Sequence, residues 1–285
     1  MQELIGKARV LVEALPYISE FRGKTVVVKI GGAALESEPL RARFAQDVIL
    51  LDWVGIHVVV VHGGGKQINA MLDRVGIEPR FVNGLRVTDA ATLEVVEMVL
   101  TGSMTQRLVQ LIAHHGGAAV GLSGADGGLA RAQVTDPSLG LVGEVTSIDR
   151  TVIDRLIDDF IPVIAPVATG DDGRSLNVNA DVFAARLAQA LGAEKLVLLT
   201  DAPGVLDADG ALIPTMTARA AEDLIARGVI TGGMIPKVDN ALAALAAGVG
   251  KVHVIDGRLE HALLLEIFTR DGVGTQMIAE GTTPP

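Results

Sequence analysis

The chain has 285 residues, 49% of them hydrophobic, and carries 24 Lys and Arg against 34 Asp and Glu for a net charge of −10. That composition can bury one large core or two modest ones and excludes disorder; with no basic run and only one Trp, one Tyr and six Phe, nucleic acid is excluded as a partner. The absence of cysteine leaves no disulfide, thiolate nucleophile or Cys-ligated metal, which suits a reducing compartment and makes the cytoplasm the expected location.

In chain order, residues 1–22 come first. Leu4, Ala8, Leu11, Leu15 and Ile18 recur at alternating spacings of four and three, an amphipathic helix whose stripe suits a partner surface or its own subunit equally well. Pro16 is expected to bend that helix near its end. Strands follow at TVVVKI from Thr25, HVVVVH from His57, AAVGL from Ala118, IPVIAP from Ile161, KLVLLTD from Lys195 and KVHVID from Lys251. Helical periodicity occupies Leu40 to Trp53, Ala91 to His114 and Asp181 to Leu191. Gly192 and Gly248 read as helix C-caps. The longest apolar runs are broken by Asp52 and His57 or are short, so neither a membrane span nor a signal peptide is expected.

The strands are continuously apolar rather than alternating, as parallel strands covered by helices on both faces must be. The fold class is α/β, an open sheet. No Pro/Ser-rich linker divides the chain, and a boundary between two lobes sharing one sheet is expected at the polar turn Gly170 to Ser175.

Ligands of such sheets gather at the carboxyl ends of the strands, where this chain places KIGGAAL, HGGGKQ, GLSGADGG and TDAPGVLD. The stretch VVVVHGGGK, Val58 to Lys66, admits a tight turn, an esterase-type oxyanion hole or a loop whose N–H groups hold an anion. Familiar motifs fail one by one. Gly23-Lys24-Thr25 has the tail of a P-loop but Ile18 stands at its first glycine; no Gly-x-Gly-x-x-Gly follows a strand; Ser123 lacks the Gly-x-Ser-x-Gly elbow. His62 is expected to be a core or orienting histidine, since no second ligand sits at metal spacing, and no metal-binding residue is assigned. Lysines beside glycines at Lys29 and Lys66 point towards phosphate.

Six motifs occur in order: KIGG at Lys29, VVHGGG at Val60, NGLRVTD at Asn83, NVNAD at Asn177, LLTDAPGVLD at Leu198 and GGMIPKV at Gly232. In order and spacing they resemble the N-acetylglutamate kinases of the amino acid kinase family, over nearly the whole chain. The resemblance implies a three-layer αβα sandwich with a central, mostly parallel sheet. It implies an amino acid-binding lobe at 23–175, an ATP-binding lobe at 176–285 and an oligomerisation helix at 1–22. It also implies ATP with Mg2+ as the phosphoryl donor and N-acetyl-L-glutamate as the acceptor, phosphorylated on its side-chain carboxylate.

Site residues follow from matching positions. Lys29 and Lys237 resemble the pair that flanks the transferring phosphoryl group, and Asp181 the carboxylate that orients both, although a helix N-terminal acid is an alternative for Asp181. Gly64 and Gly65 resemble the N–H donors to the substrate, Arg86 the guanidinium on its α-carboxylate and Asn177 a hydrogen-bonding partner. Gly31, Gly32, Thr200, Asp201, Gly204, Asp207 and Gly233 resemble the nucleotide site; for Gly204 and Asp207 a turn-forming role is as good a reading.

ALPYISEF within the first 22 residues resembles arginine-sensitive members of the family, whose helices interlace into a hexameric trimer of dimers. That implies an L-arginine site at Tyr17, His253, Glu266 and Gly272, and feedback inhibition. The chain departs from many relatives at Ile30, Ala33, Thr105, Gln106 and Ala125. Alternatives are another amino acid kinase, acting on glutamate, a carrier-linked amino acid or carbamate, and a non-catalytic amino acid sensor of the same fold.

Overall fold

The structure, a computed structural model, describes residues 1–270 and 272–281; the last four residues of the expected 176–285 lobe lie outside them. The first half runs α1 (Gln2–Phe21), β1 (Thr25–Ile30), α2 (Gly32–Glu36), α3 (Glu38–Trp53), β2 (His57–His62), α4 (Gly65–Arg74), the hairpin β3 (Phe81–Val82) and β4 (Leu85–Arg86), then α5 (Ala90–Glu97). A π-helical segment, Met98–Met104, joins α5 to α6 (Thr105–His114), followed by β5 (Ala119–Ser123), β6 (Ala130–Val134) and β7 (Val142–Ile148). Next come α7 (Thr151–Leu156), β8 (Ile161–Ala165), β9 (Val167–Thr169), β10 (Ser175–Val178), α8 (Ala180–Leu191) and β11 (Lys195–Thr200). The chain ends in β12 (Thr215–Thr217), α9 (Ala218–Ala226), α10 (Met234–Ala246), β13 (Lys251–Asp256), α11 (Ala262–Phe268) and β14 (Thr275–Ile278).

Eight strands form the central sheet in the order β12-β14-β13-β11-β1-β2-β8-β5. All neighbours pair in parallel except β13 and β14. Burial explains the unbroken apolar runs. Val26, Val28, Val58 and Val60 enter one core with α3 and the α5–α6 helices, while Val27, Val59 and Val61 enter the opposite core with α8 and α10. The result is the three-layer αβα sandwich with a mostly parallel sheet. None of its described helices is long and apolar enough to cross a membrane.

The six strands expected from the sequence are present, β1, β2 and β13 with the expected ends and β5, β8 and β11 within one residue of them. The barrel of β6, β7, β9 and β10, the β3–β4 hairpin and the strands β12 and β14 are additional. The turn at Gly170 to Ser175, where the lobe boundary is expected, lies between two paired strands. It joins β9 to β10, which pair antiparallel from Ser175 opposite Thr169, so the chain stays inside one barrel until Val178. Helix α1 runs through Pro16 to Phe21; Leu4, Leu11 and Leu15 of its stripe are 62%, 71% and 56% exposed, whereas Ile18, at the stripe's end, is half-buried.

Phe183 of α8 has no exposed surface and fills the space beside Gly124, where an added Cβ would stand 2.7 Å from its ring. Phe183→Ala is expected to lower stability by about 3–5 kcal/mol, read as a lower urea midpoint with unchanged slope.

Candidate active site

Three strands aim their carboxyl ends at one point. β1 lies between β2 and β11 with Lys29 in register with Val61 and Leu198, so Gly31-Gly32, HGGG and the loop after Thr200 converge there. Lys29 is 8% exposed, and its Nζ stands 2.8 Å from Asp181 Oδ1. From the first turn of α10, Lys237 Nζ donates to Asp181 Oδ2 at 2.6 Å. Asp181 is delivered by α8, whose N-cap Asn179 accepts the N–H groups of Asp181 and Val182 at 2.8 and 3.3 Å. Burial pushes the Asp181 carboxyl up, but the two ammonium groups outweigh it and hold the pKa at about 2. One ionised carboxylate therefore keeps two cations together.

Two clefts meet at this cluster, and Lys29 lines both. The first, a cavity of about 230 Å³, also takes Gly64, Gly65, Arg86, Leu100, Asn177 and Asp181 into its wall. Arg86 donates from Nη2 to Gly65 O at 3.1 Å and to Asn69 Oδ1 at 2.6 Å, and its guanidinium lies 4.8 Å from the Phe81 ring centre. Its Nη1 is buried without a partner among the described residues. A buried guanidinium nitrogen left without a partner, on an arginine that lines a cavity, suits a carboxylate ligand. Asn177 donates from Nδ2 to Thr88 Oγ1 at 3.1 Å. Gly64 and Gly65 open α4, so their N–H groups have no intrahelical acceptor. A Cβ on Gly64 would stand 2.6 Å from Leu100 Cδ2.

The second cleft, of about 400 Å³, is lined by Lys29, Gly32, Thr200, Asp201, Gly233 and Lys237 among others. Asp201 Oδ1 accepts the N–H of Ala33 at 2.7 Å, and Gly32, at φ +53°, passes so close that a Cβ there would overlap the Asp201 carboxylate. On Gly31 a Cβ would stand 2.7 Å from Lys29 Nζ. Gly204 and Asp207 are not in this wall. Asp207 Oδ1 accepts the N–H groups of Asp209 and Ala211 at 2.9 and 2.8 Å, closing a turn, and Gly204, at φ +144°, abuts Thr275. Both shape the loop from behind, which is the turn-forming alternative. Among the described residues no three His, Asp or Glu side chains form a group that could hold a metal.

A third cavity, of about 150 Å³, brings Tyr17, His253, Glu266 and Gly272 together beneath the end of α1, with Lys195 and Lys251. His253 donates from Nδ1 to Glu266 Oε1 at 2.5 Å, and its Nε2 is buried without a partner among the described residues. Burial, reinforced by Lys251, pulls the Lys195 ammonium down to about 8.

Sequence reasoning missed Asn69, Asn179, Phe81 and Leu100 at the first cleft. Asn69 had a usable signal, one helical turn beyond Gly65, and Asn179 another, an Asn immediately before a helix.

Residues 24–256 match the profile of the Amino acid kinase family. The acetylglutamate kinase of Desulfotalea psychrophila is 52% identical over 291 aligned residues, covering 97% of this chain and 98% of that protein. Among solved structures, N-acetylglutamate synthase from Neisseria gonorrhoeae, complexed with coenzyme A and N-acetyl-glutamate, superposes with a TM-score of 0.86 at 29% identity. The match covers 96% of this chain but only 64% of the synthase chain. The same synthase complexed with coenzyme A and L-arginine gives a TM-score of 0.80 at 27% identity, over 95% of this chain and 65% of that one.

The charge cluster generates a pH prediction. Because the folded pKa of Asp181 lies at about 2 against an ordinary 3.8, its stabilisation is complete above the ordinary value and is lost as pH falls towards 2. A shift of that size corresponds to about 2 kcal/mol. Asp181→Asn is expected to be less stable than the parent at neutral pH, and the gap should narrow between about pH 5 and about pH 3 in urea titrations. A gap indifferent to pH would mean that the carboxylate is not the ionised partner of the two lysines.

Proposed function

The chain belongs to the amino acid kinase family and within it to the acetylglutamate kinases, and from that membership we infer its reaction: ATP-dependent phosphorylation of the side-chain carboxylate of N-acetyl-L-glutamate, in arginine biosynthesis. The observation that carries this reading is the Lys29–Asp181–Lys237 cluster at the wall between two clefts. Bringing two anions together is mainly a problem of positioning and charge. Lys29 and Lys237 take the phosphoryl group between them, and Asp181 holds both. Arg86 receives the α-carboxylate on its free Nη1, Asn177 bonds the N-acetylamino acid, and the N–H groups of Gly64 and Gly65 hold the reacting carboxylate and the moving phosphoryl group. A carboxylate oxygen bonds to the γ-phosphorus while the bond to the bridging oxygen breaks, its electron pair leaving with ADP.

Gly31, Gly32, Thr200, Asp201 and Gly233 form the ATP site, with Gly204 and Asp207 supporting its loop. Asp181 and Asp201 already have partners, so Mg2+ would be held chiefly by the nucleotide phosphates, where it neutralises charge. The proposed lobes are 23–175, which takes N-acetyl-L-glutamate, and 176–285, which takes ATP. The setting is the cytoplasm.

A coupled assay of ADP release tests the reading. Turnover should require N-acetyl-L-glutamate and magnesium, with free glutamate far poorer. Lys29→Ala and Lys237→Ala should each lose ~10²–10³ in kcat while folded, and Arg86→Ala should mainly raise KM for the amino acid. Equal turnover with glutamate, or near-normal turnover without Lys29 or Lys237, would sink it.

Regulation and assembly form a second part of the reading. The exposed stripe of α1 supports a homohexamer, a trimer of dimers joined through these helices. The third cavity offers a carboxylate and an imidazole acceptor beside two lysines, a set suited to the two charged ends of L-arginine as feedback inhibitor. Inhibition then measures how much better arginine binds the less active arrangement. Deleting residues 1–22 is expected to abolish both hexamer and inhibition, by light scattering and arginine titration. A full-length dimer indifferent to arginine would refute this part and spare the kinase.

A further inference from the structure

We propose that His62 is a positioning residue for phosphoryl transfer: its Nδ1–H holds the carbonyl of Gly63 and so turns the N–H of Gly64 into the first cleft. The proposal rests on the reading above that this loop receives the reacting anion. His62 is fully buried at the end of β2, with Nδ1 3.0 Å from Gly63 O and Nε2 2.8 Å from Thr105 Oγ1. Burial pulls its pKa down to about 4, so the ring carries a single proton at neutral pH.

That proton can be placed. A carbonyl oxygen only accepts, so the contact with Gly63 O requires the proton on Nδ1. Nε2 is then an acceptor, and Thr105 supplies its hydroxyl hydrogen. That hydroxyl has a single hydrogen, so giving it to Nε2 withdraws it from the Leu100 carbonyl, 2.8 Å away, which keeps the backbone N–H of Thr105 as its donor. The opposite tautomer would set the Nδ1 lone pair against the Gly63 carbonyl, two acceptors at hydrogen-bond distance.

Planarity carries the effect to the substrate. In a trans peptide the C=O and N–H point in opposite directions, so fixing the Gly63 carbonyl on His62 fixes the direction of the Gly64 N–H. The π-helical segment closes the other side, since Leu100 Cδ2 would stand 2.6 Å from a Cβ on Gly64, and Thr105 begins the helix at the segment's end. A π segment beside a functional loop is a common arrangement. The loop is thus held by a hydrogen bond on one side and by packing on the other, a preorganised donor that needs no reorganisation during transfer.

The test exploits geometry, because asparagine carries its amide nitrogen near the Nδ1 position and glutamine near Nε2. His62→Gln and His62→Leu should lose roughly 10²-fold in kcat, whereas His62→Asn should stay within about fivefold of the parent. KM for ATP should move little in all three. Thr105→Val should lower kcat by about tenfold, with Thr105→Ser restoring it. A readout independent of turnover is the Gly64 amide resonance on adding the magnesium complex of a non-hydrolysable ATP analogue with N-acetyl-L-glutamate. It should shift in the parent and His62→Asn and stay in place in His62→Gln. Equal losses in folded Asn and Gln variants, or undiminished kcat in His62→Gln or Thr105→Val, would overturn the proposal. If the parent fails to phosphorylate N-acetyl-L-glutamate, the reaction assigned above is wrong, and the amide shift with magnesium and nucleotide alone decides the role of His62.

Discussion

Two ammonium groups held within reach of one another in a poorly solvated cleft repel, and the site depends on the single carboxylate that prevents it. Asp181 meets Lys29 at 2.8 Å and Lys237 at 2.6 Å. Removing either cation leaves the remaining buried charges less well compensated, so the three must be delivered together by rigid elements. A central strand supplies Lys29, and the first turns of α8 and α10 supply the other two. Helices α8 and α10 pack on the same face of the sheet and share a core with Phe183 and Val238. Packing thus sets the distance between charges, and the charges define where the two clefts meet. In the proposed reaction the carboxylate leaves both cations able to turn to a more strongly charged phosphoryl group when one arrives.

The parallel sheet was legible because its cause is local. Val26 to Val28 and Val58 to Val61 alternate between two cores, both apolar, so the residues cannot alternate in polarity. The helix C-cap at Gly192 was equally plain, since its left-handed backbone at φ 59° and ψ 43° favours glycine. The burial of Lys29 was legible for a related reason. A lysine at the end of a valine run has no solvent to reach, and the structure buries it to 8% exposure.

What escaped the sequence depends on contacts between distant segments. The barrel strands β6, β7 and β10 are mixed in polarity, with Arg131, Gln133 and Glu144 exposed, so no apolar run announced them. The polar turn at Gly170 to Ser175 was read as a lobe boundary because hairpin turns and boundaries share a composition. Only the pairing of β9 with β10 separates the two. Gly204 and Asp207 belong to a conspicuous motif, yet what they touch is Thr275 and the turn at Asp209 to Ala211. A motif identifies a loop; which of its residues face the cleft and which brace it from behind is decided by packing. The π-helical segment was concealed within a continuous helical period from Ala91 to His114.

Distance constrains how the third cavity could influence transfer. Strand β11 contributes Lys195 to that cavity at one end and Thr200 to the second cleft at the other. Five residue steps along an extended strand span about 17 Å, too far for direct contact between ligands at the two sites. The strand between them is buried throughout and hydrogen-bonded on both sides to β1 and β13, so it does not stretch or slide alone. An effect transmitted by this route must move the sheet segment and the helices resting on it as a body. Glu266 suits such a lever. Its carboxylate binds His253 on β13 and the N–H groups of Val273 and Gly274 before β14, tying helix α11 to two neighbouring strands. In the proposed regulation, a ligand competing for that carboxylate would loosen α11 from the sheet, and its effect on transfer would be a change in the spacing of elements around the Lys29–Asp181–Lys237 cluster, whose contacts are under 3 Å on both sides.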